Sequence, residues 1–187
     1  LNDGMNQLGF FLLAVLLFGL VPDAWGQQFM TRDGHVHFFS STPIEDIEAD
    51  NHQMSGLLDA STGEFAFQVQ MRGFHFEKAL MEEHFNESYV ESEKHPKATF
   101  QGQIQNWSMV ESDGKSYMVT AKGNFDFHGV EQPVDILGEL HWTGEAWALS
   151  ARFEVSLKTY NIQVPAMVRD NISPVIDVDV HAIMNPR

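Results

Sequence analysis

The side chains best suited to chemistry in this 187-residue chain are its nine histidines, since cysteine is absent. His35 and His37 stand two apart, on one face of a strand, so their imidazoles fall about 6.5–7 Å apart. With a third ligand they could share a metal ion. Alternatively they form the outward polar face of a strand whose Val36 and Phe38 point inward. The other seven histidines (His52, His75, His84, His95, His128, His141 and His181) are scattered, and none forms a His-Glu-x-x-His helix. His128-Gly129 lies where one strand hands over to the next. Gly129 and Pro133 are turn residues, which favours a turn-fixing role over a catalytic one. Asp126 shares the strand face of His128, a pairing too common to define an acid–base site. Without cysteine there is no disulfide, no thiol nucleophile and no Cys-ligated zinc or iron–sulfur centre. Gly114-Lys115-Ser116 lacks the glycine-rich lead of a phosphate loop, and no Gly-x-Ser-x-Gly elbow occurs. No residue is assigned a catalytic or metal-ligating role.

What remains is apolar chemistry. Phe65, Phe67 and Val69 alternate with polar or small residues, as do Phe125 with Phe127, Phe153 with Val155, and Val178 with its neighbours. Period-two alternation marks strands with one apolar face. These eight residues are the candidate ligand-binding set. They line either a tunnel, in which a buried chain gains roughly 25 cal/mol per Å² of apolar area, or a solid core.

The elements that must position them are mostly strands. Clear alternation covers residues 64–71, 117–127, 149–158 and 176–182, and weaker stretches cover 34–40, 53–58, 99–107 and 134–142. Asp59 to Gly63, Asp113-Gly114 and Thr143-Gly144 read as turns. Residues 77–89 read as the one helix, with Phe76, Leu80, His84 or Phe85, and Tyr89 at helical spacing. A short turn is expected over residues 44–50, and residues 101–105 are a candidate exposed edge. About eight antiparallel strands with one apolar face must stack or close into a barrel, and closure removes edges. The expected fold is therefore all-β, an antiparallel barrel of about eight strands with one short helix. Residues 74–97, the longest break in the strand pattern, are the expected lid.

The chain also opens on an apolar run, Leu8 to Val21, followed by Pro22 and the small-residue pair around Trp25. At 14 residues the run would span roughly 21 Å as a helix, short of a hydrocarbon core of about 30 Å. Residues 1–26 are read as a signal peptide and residues 27–187 as one domain, with no transmembrane segment in the mature chain and a periplasmic or secreted destination. Residues 1–26 hold Asp3, Asp23 and no Lys or Arg, leaving 26 − 2 = 24 acids against 11 bases, a net −13. Such a charge argues against nucleic acid as a partner and against docking on anionic lipid.

Two longer stretches carry a resemblance. Phe85-Asn86-Glu87-Ser88-Tyr89-Val90-Glu91-Ser92-Glu93-Lys94-His95-Pro96-Lys97-Ala98-Thr99-Phe100 resembles the YceI-like family, where a short helix meets a K-x-P-x-x-x-F strand entry. Gly123-Asn124-Phe125-Asp126-Phe127-His128-Gly129-Val130-Glu131-Gln132-Pro133-Val134 resembles that family's G-x-L-x-x-H-G-V-x-x-P-V strand pair. Asp33 to Phe38 fits its first strand and Val175 to Ala182 its last. The chain departs from the pattern at Glu77-Lys78-Ala79-Leu80-Met81, where the usual charged pair is not evident, and it is short between Trp142 and Trp147. The resemblance implies a lipocalin-like barrel, exported to the periplasm, that holds a polyisoprenoid or similar long amphiphile, an isoprenoid or quinone-type lipid included. The expected role is storage, transport or stress protection rather than that of an enzyme, with a hydrophobic small molecule or lipid as partner and a chain that is a monomer or homodimer. A filled barrel serving as a structural or interaction module is the alternative.

Overall fold

The structure, a computed structural model, describes residues 27–187; the signal-peptide reading of residues 1–26 lies outside them. Among the described residues nine strands form: β1 (Gln28–Ser41), β2 (Asp46–Asp59), β3 (Glu64–Gln70), β4 (Phe74–Phe76), β5 (Lys97–Ile104), β6 (Ser116–Phe127), β7 (Val130–Trp142), β8 (Trp147–Ser156) and β9 (Val175–Pro186). A short helix, α1 (Ala79–His84), runs on into a π turn over Phe85–Tyr89. Eight of the strands pair in the antiparallel order β1-β9-β8-β7-β6-β5-β3-β2, and β2 returns to β1, so the sheet closes on itself. The ninth, β4, adds three residues beside β2, paired to Ala49–Asn51.

Two strands are longer than their alternation suggests, because each contains a bulge. In β1 the buried positions are Phe29 and Thr31, then Gly34, Val36 and Ser40, a switch from odd to even numbers. The ladder slips in register between Thr31 and Gly34. In β2 the switch falls between Asn51 and Met54. One extra residue on a strand re-aims every side chain beyond it and breaks a period-two pattern. The turn expected over residues 44–50 is accordingly corrected: Asp46–Asp59 is strand, and the turn occupies residues 42–45. There the Thr42 hydroxyl accepts from the backbone N–H groups of Ile44 and Glu45 at 3.2 and 3.1 Å.

The exposed edge expected at residues 101–105 is likewise corrected. β5 pairs with β3 on one side and β6 on the other, since a closed sheet leaves no edge there. Asp113-Gly114 is a turn, with Gly114 at φ 79°, but it does not join two strands directly. It ends a longer connection that includes a 3-10 turn at Trp107–Met109.

Where β3 stops, the β2 ladder would lose its partner. Asn51, fully buried, fills the gap: its Nδ2 donates to the Gln70 carbonyl at 2.8 Å and its Oδ1 accepts from the Gln53 N–H at 2.7 Å. Buried backbone groups need such partners.

Candidate ligand-binding cavity

The inward faces of the barrel do not meet in the middle. They surround a cavity of about 370 Å³, within the range of small-molecule sites. Phe65, Phe67, Val69, Phe125, Phe127, Phe153, Val155 and Val178 all line it. They come from β3, β6, β8 and β9, so the set spans opposite walls. Gly102 and Gly123 face one another in the β5–β6 ladder. A Cβ at either would lie 2.1 Å from a backbone oxygen of the other strand. The two glycines thus let the strands approach closely on the inward side of the wall.

The two ends differ. At the base, Phe29, Trp107, Trp142 and Trp147 pack together, with ring centroids 5.8 Å apart for Phe29 and Trp142, 5.1 Å for Trp142 and Trp147, and 6.0 Å for Trp107 and Trp147. Phe29 is 1% exposed and Trp147 3%. The Trp107 indole N–H donates to the Ala60 carbonyl at 2.8 Å, which satisfies its polar handle.

At the mouth, the segment of residues 74–90 lies over the opening. Phe85, from the π turn, contacts Phe38, Phe74 and Phe76 at centroid distances of 5.6, 5.5 and 5.2 Å. The apolar stripe expected on the helix is only partly realised. Phe85 faces the cavity, whereas Leu80 is 61% exposed. Six residues of helix cannot bury a full stripe. A second covering piece is the 3-10 stretch Ala166–Asn171.

Polar groups collect at this rim. Glu45 ties three segments: its Oε1 is 3.3 Å from Lys78 Nζ and its Oε2 accepts from Asn171 Nδ2 at 3.2 Å. The Asn171 hydrogen bond, then the Lys78 ammonium, hold the Glu45 carboxyl below the usual carboxylate range. Glu45, His84, Tyr89 and Asn171 all border the cavity. Burial pushes the Tyr89 phenol up.

Sequence reasoning does not include Phe38, Phe74, Phe76, Phe85 or Phe100 in the site, although each lines the cavity. Phe38 shares the inward face of Val36 and Phe100 that of Ala98, so both were within reach of alternation. Phe74 and Phe76 sit on a three-residue strand, too short to show a period.

Four of the nine histidines fall in two places. His35 and His37 point outward, with Val36 buried and Phe38 packed inward. Both reach the same carboxylate oxygen of Asp50, at 2.7 and 3.1 Å. Burial pushes the Asp50 carboxyl up, but those two hydrogen bonds outweigh it and leave it lowered. The second group is Glu91, His95 and His128, whose ligand-type atoms lie within 4.8 Å of one another. His128 and Gly129, at φ 53° and 72°, form the two-residue turn between β6 and β7. Both central residues of such a turn need positive φ, so His128 and Gly129 match the turn reading, whereas Pro133 does not: it lies within β7, opposite Asn124.

A family model described as a YceI-like domain matches residues 28–183, from the start of β1 well into β9. The chain belongs to the YceI-like family. Among solved structures it is similar to a polyisoprenoid binding domain from Saccharophagus degradans implicated in plant cell wall breakdown. That likeness has a TM-score of 0.74 at 13% identity, over 86% of this chain and 99% of that one. Burkholderia cenocepacia BcnA gives a TM-score of 0.67 at 12% identity, over 80% and 95%. The Campylobacter jejuni YceI protein gives 0.56 at 11%, over 74% and 84%. At such identities the likeness is one of fold. No curated protein sequence matches the chain. A YceI-like barrel closed at one end and roofed by side chains at the other can take up an apolar molecule, with a cluster of polar groups at its rim.

Proposed function

We propose that this YceI-like protein is an exported carrier that holds a polyisoprenoid or similar long-chain amphiphile, in storage, transport or stress protection. The observation that carries the reading is the apolar cavity of about 370 Å³ between a sealed base and a roofed mouth. Phe65, Phe67, Val69, Phe125, Phe127, Phe153, Val155 and Val178 supply its affinity. Each five-carbon unit drawn from water contributes about 3–4 kcal/mol, at ~0.8 kcal/mol per methylene. Affinity then grows with chain length and needs no specific polar contact. The head group sits at the mouth, beside Glu45, His84, Tyr89 and Asn171. The Saccharophagus degradans neighbour, described as polyisoprenoid binding, supports the ligand class. No catalytic step is assigned. Export rests on the apolar run before Pro22 and a cut after Gly26.

Organic extraction of the purified protein followed by mass spectrometry tests the reading. One prenyl or quinone-type lipid per chain is expected, and Val178→Trp, which fills the cavity, should abolish it. A stable wild-type protein that carries no lipid and takes up no added polyprenol would instead be a filled structural module. Fractionation of the source cells with N-terminal sequencing tests export, with Gln27 the expected first residue.

A further inference from the structure

Where the covering segment rejoins the barrel, three side chains converge that the lipid cavity does not use. We propose that Glu91, His95 and His128 bind a divalent transition-metal cation of the zinc class, clamping the foot of the covering segment to the β6–β7 turn.

His128 is already oriented as a ligand. Its Nδ1 lies 2.9 Å from the Tyr160 carbonyl oxygen. A carbonyl only accepts, so Nδ1 carries the proton and donates, and a neutral ring keeps its lone pair on Nε2. That pattern, one ring nitrogen donating to a backbone carbonyl and the other free, is how metal-ligating histidines are oriented. His128 Nε2 is buried and has no hydrogen-bond partner, in a side chain only 11% exposed. It faces Glu91 Oε2 at 3.5 Å. This is too long for a hydrogen bond between such groups. It matches the separation of two ligands on one tetrahedral ion, since bonds of 2.0–2.2 Å put neighbouring ligands roughly 3.4 Å apart.

The other two members are held in place independently. Lys94 takes the opposite carboxylate oxygen, Glu91 Oε1, and leaves Oε2 free. The His95 N–H donates to the Glu91 carbonyl at 2.9 Å, which closes a turn that brings both side chains to one side. Glu91 itself adopts φ 45°, a left-handed conformation that costs a non-glycine residue energy and recurs at functional sites. The His95 ring lies over Gly129, where a Cβ would meet its Cε1 at 2.7 Å. Two imidazoles and one carboxylate, with water completing the shell, suit zinc rather than the all-oxygen shells of calcium or magnesium.

Zinc titration of the chelator-treated protein, followed by calorimetry and thermal unfolding, tests this. The expected result is one zinc per chain and a rise in Tm with zinc. Glu91→Gln and His95→Ala should each weaken binding by at least the 10–100-fold that loss of even an outer-shell group costs. His128→Asn is the conservative third variant, because asparagine tolerates the left-handed turn and the Asn-Gly pair it makes suits this hairpin. A His35→Ala/His37→Ala double variant should bind zinc as the wild type does. Absence of saturable one-to-one binding overturns the proposal. So does binding that survives both Glu91→Gln and His95→Ala in folded protein, or binding that is lost only with His35 and His37.

Discussion

The base and the mouth of the barrel are both built from aromatic rings, yet they are held differently. At the base, Trp107, Trp142, Trp147 and Phe29 come from strands and their immediate turns, and fully buried Leu58, Leu140 and Met184 back them. At the mouth, Phe85 belongs to a π turn, α1 buries no residue, and Ile44 and Met167 are 63% and 95% exposed. The base is core, made by the same ladders that close the barrel. The mouth is a cover, joined to the barrel by side-chain ties such as Glu45 with Lys78 and Asn171. Local opening costs least where few buried apolar contacts are broken. On the proposed function, a ligand held above such a base would enter and leave through the mouth.

The largest expected effect tests the base. Trp147→Ala removes a ring packed against two other tryptophans and should cost about 3–5 kcal/mol, read as a lower urea midpoint. Halfway along the wall, Gly123→Ala places a methyl group 2.1 Å from the Gln101 carbonyl oxygen. It should cost about 1–3 kcal/mol, as overpacking does. The Gly102–Gly123 contact would then mark where rigid wall begins. At the mouth, Phe85→Ala should cost only about 1 kcal/mol, while a bound fluorescent prenol leaves several-fold faster in stopped flow. If Phe85→Ala unfolds the protein as readily as Trp147→Ala does, the division into core and cover fails.

The same division governs what could be read beforehand. The stripe of Phe65, Phe67, Phe125, Phe127 and Phe153 was legible because each lies on an unbroken strand, where alternation and burial agree. The first halves of β1 and β2 were hidden by bulges, which reverse the face of Phe29 relative to Val36 and of Asn51 relative to Met54. The mouth was legible only as an interruption. Which ring of the helical segment turns inward depends on the π turn placing Phe85, and no periodicity in so short a piece decides between Phe85 and Leu80. Glu45, Lys78 and Asn171 are far apart in sequence, as are Glu91 and His128. Such pairings are set by the closed topology rather than by spacing.

The smallest expected effect is an acid dependence that separates the two ends. Glu45 at the mouth is held below its ordinary value of 4.5, first by the Asn171 hydrogen bond and then by Lys78. A lowered carboxyl contributes stability that is fully present above the unfolded value and is lost as pH falls through the folded one. The ties to Lys78 and Asn171 should therefore hold above about pH 4.5 and loosen below it. At the base, Asp113, bonded to Lys115 on the β5–β6 connection, is held at about 2, so its pairing persists further into acid. Release of the fluorescent prenol should speed up on acidification below pH 4.5 before tryptophan fluorescence reports any change at the base. Lys78 is 62% exposed, so salt will screen its part and the acceleration will be modest. In Glu45→Gln the amide oxygen still accepts from Asn171 but has no charge for Lys78. Release should then be faster at neutral pH and flat across the acid range. A Glu45→Gln protein whose release still accelerates below pH 4.5 would place the acid-sensitive tie elsewhere on the rim.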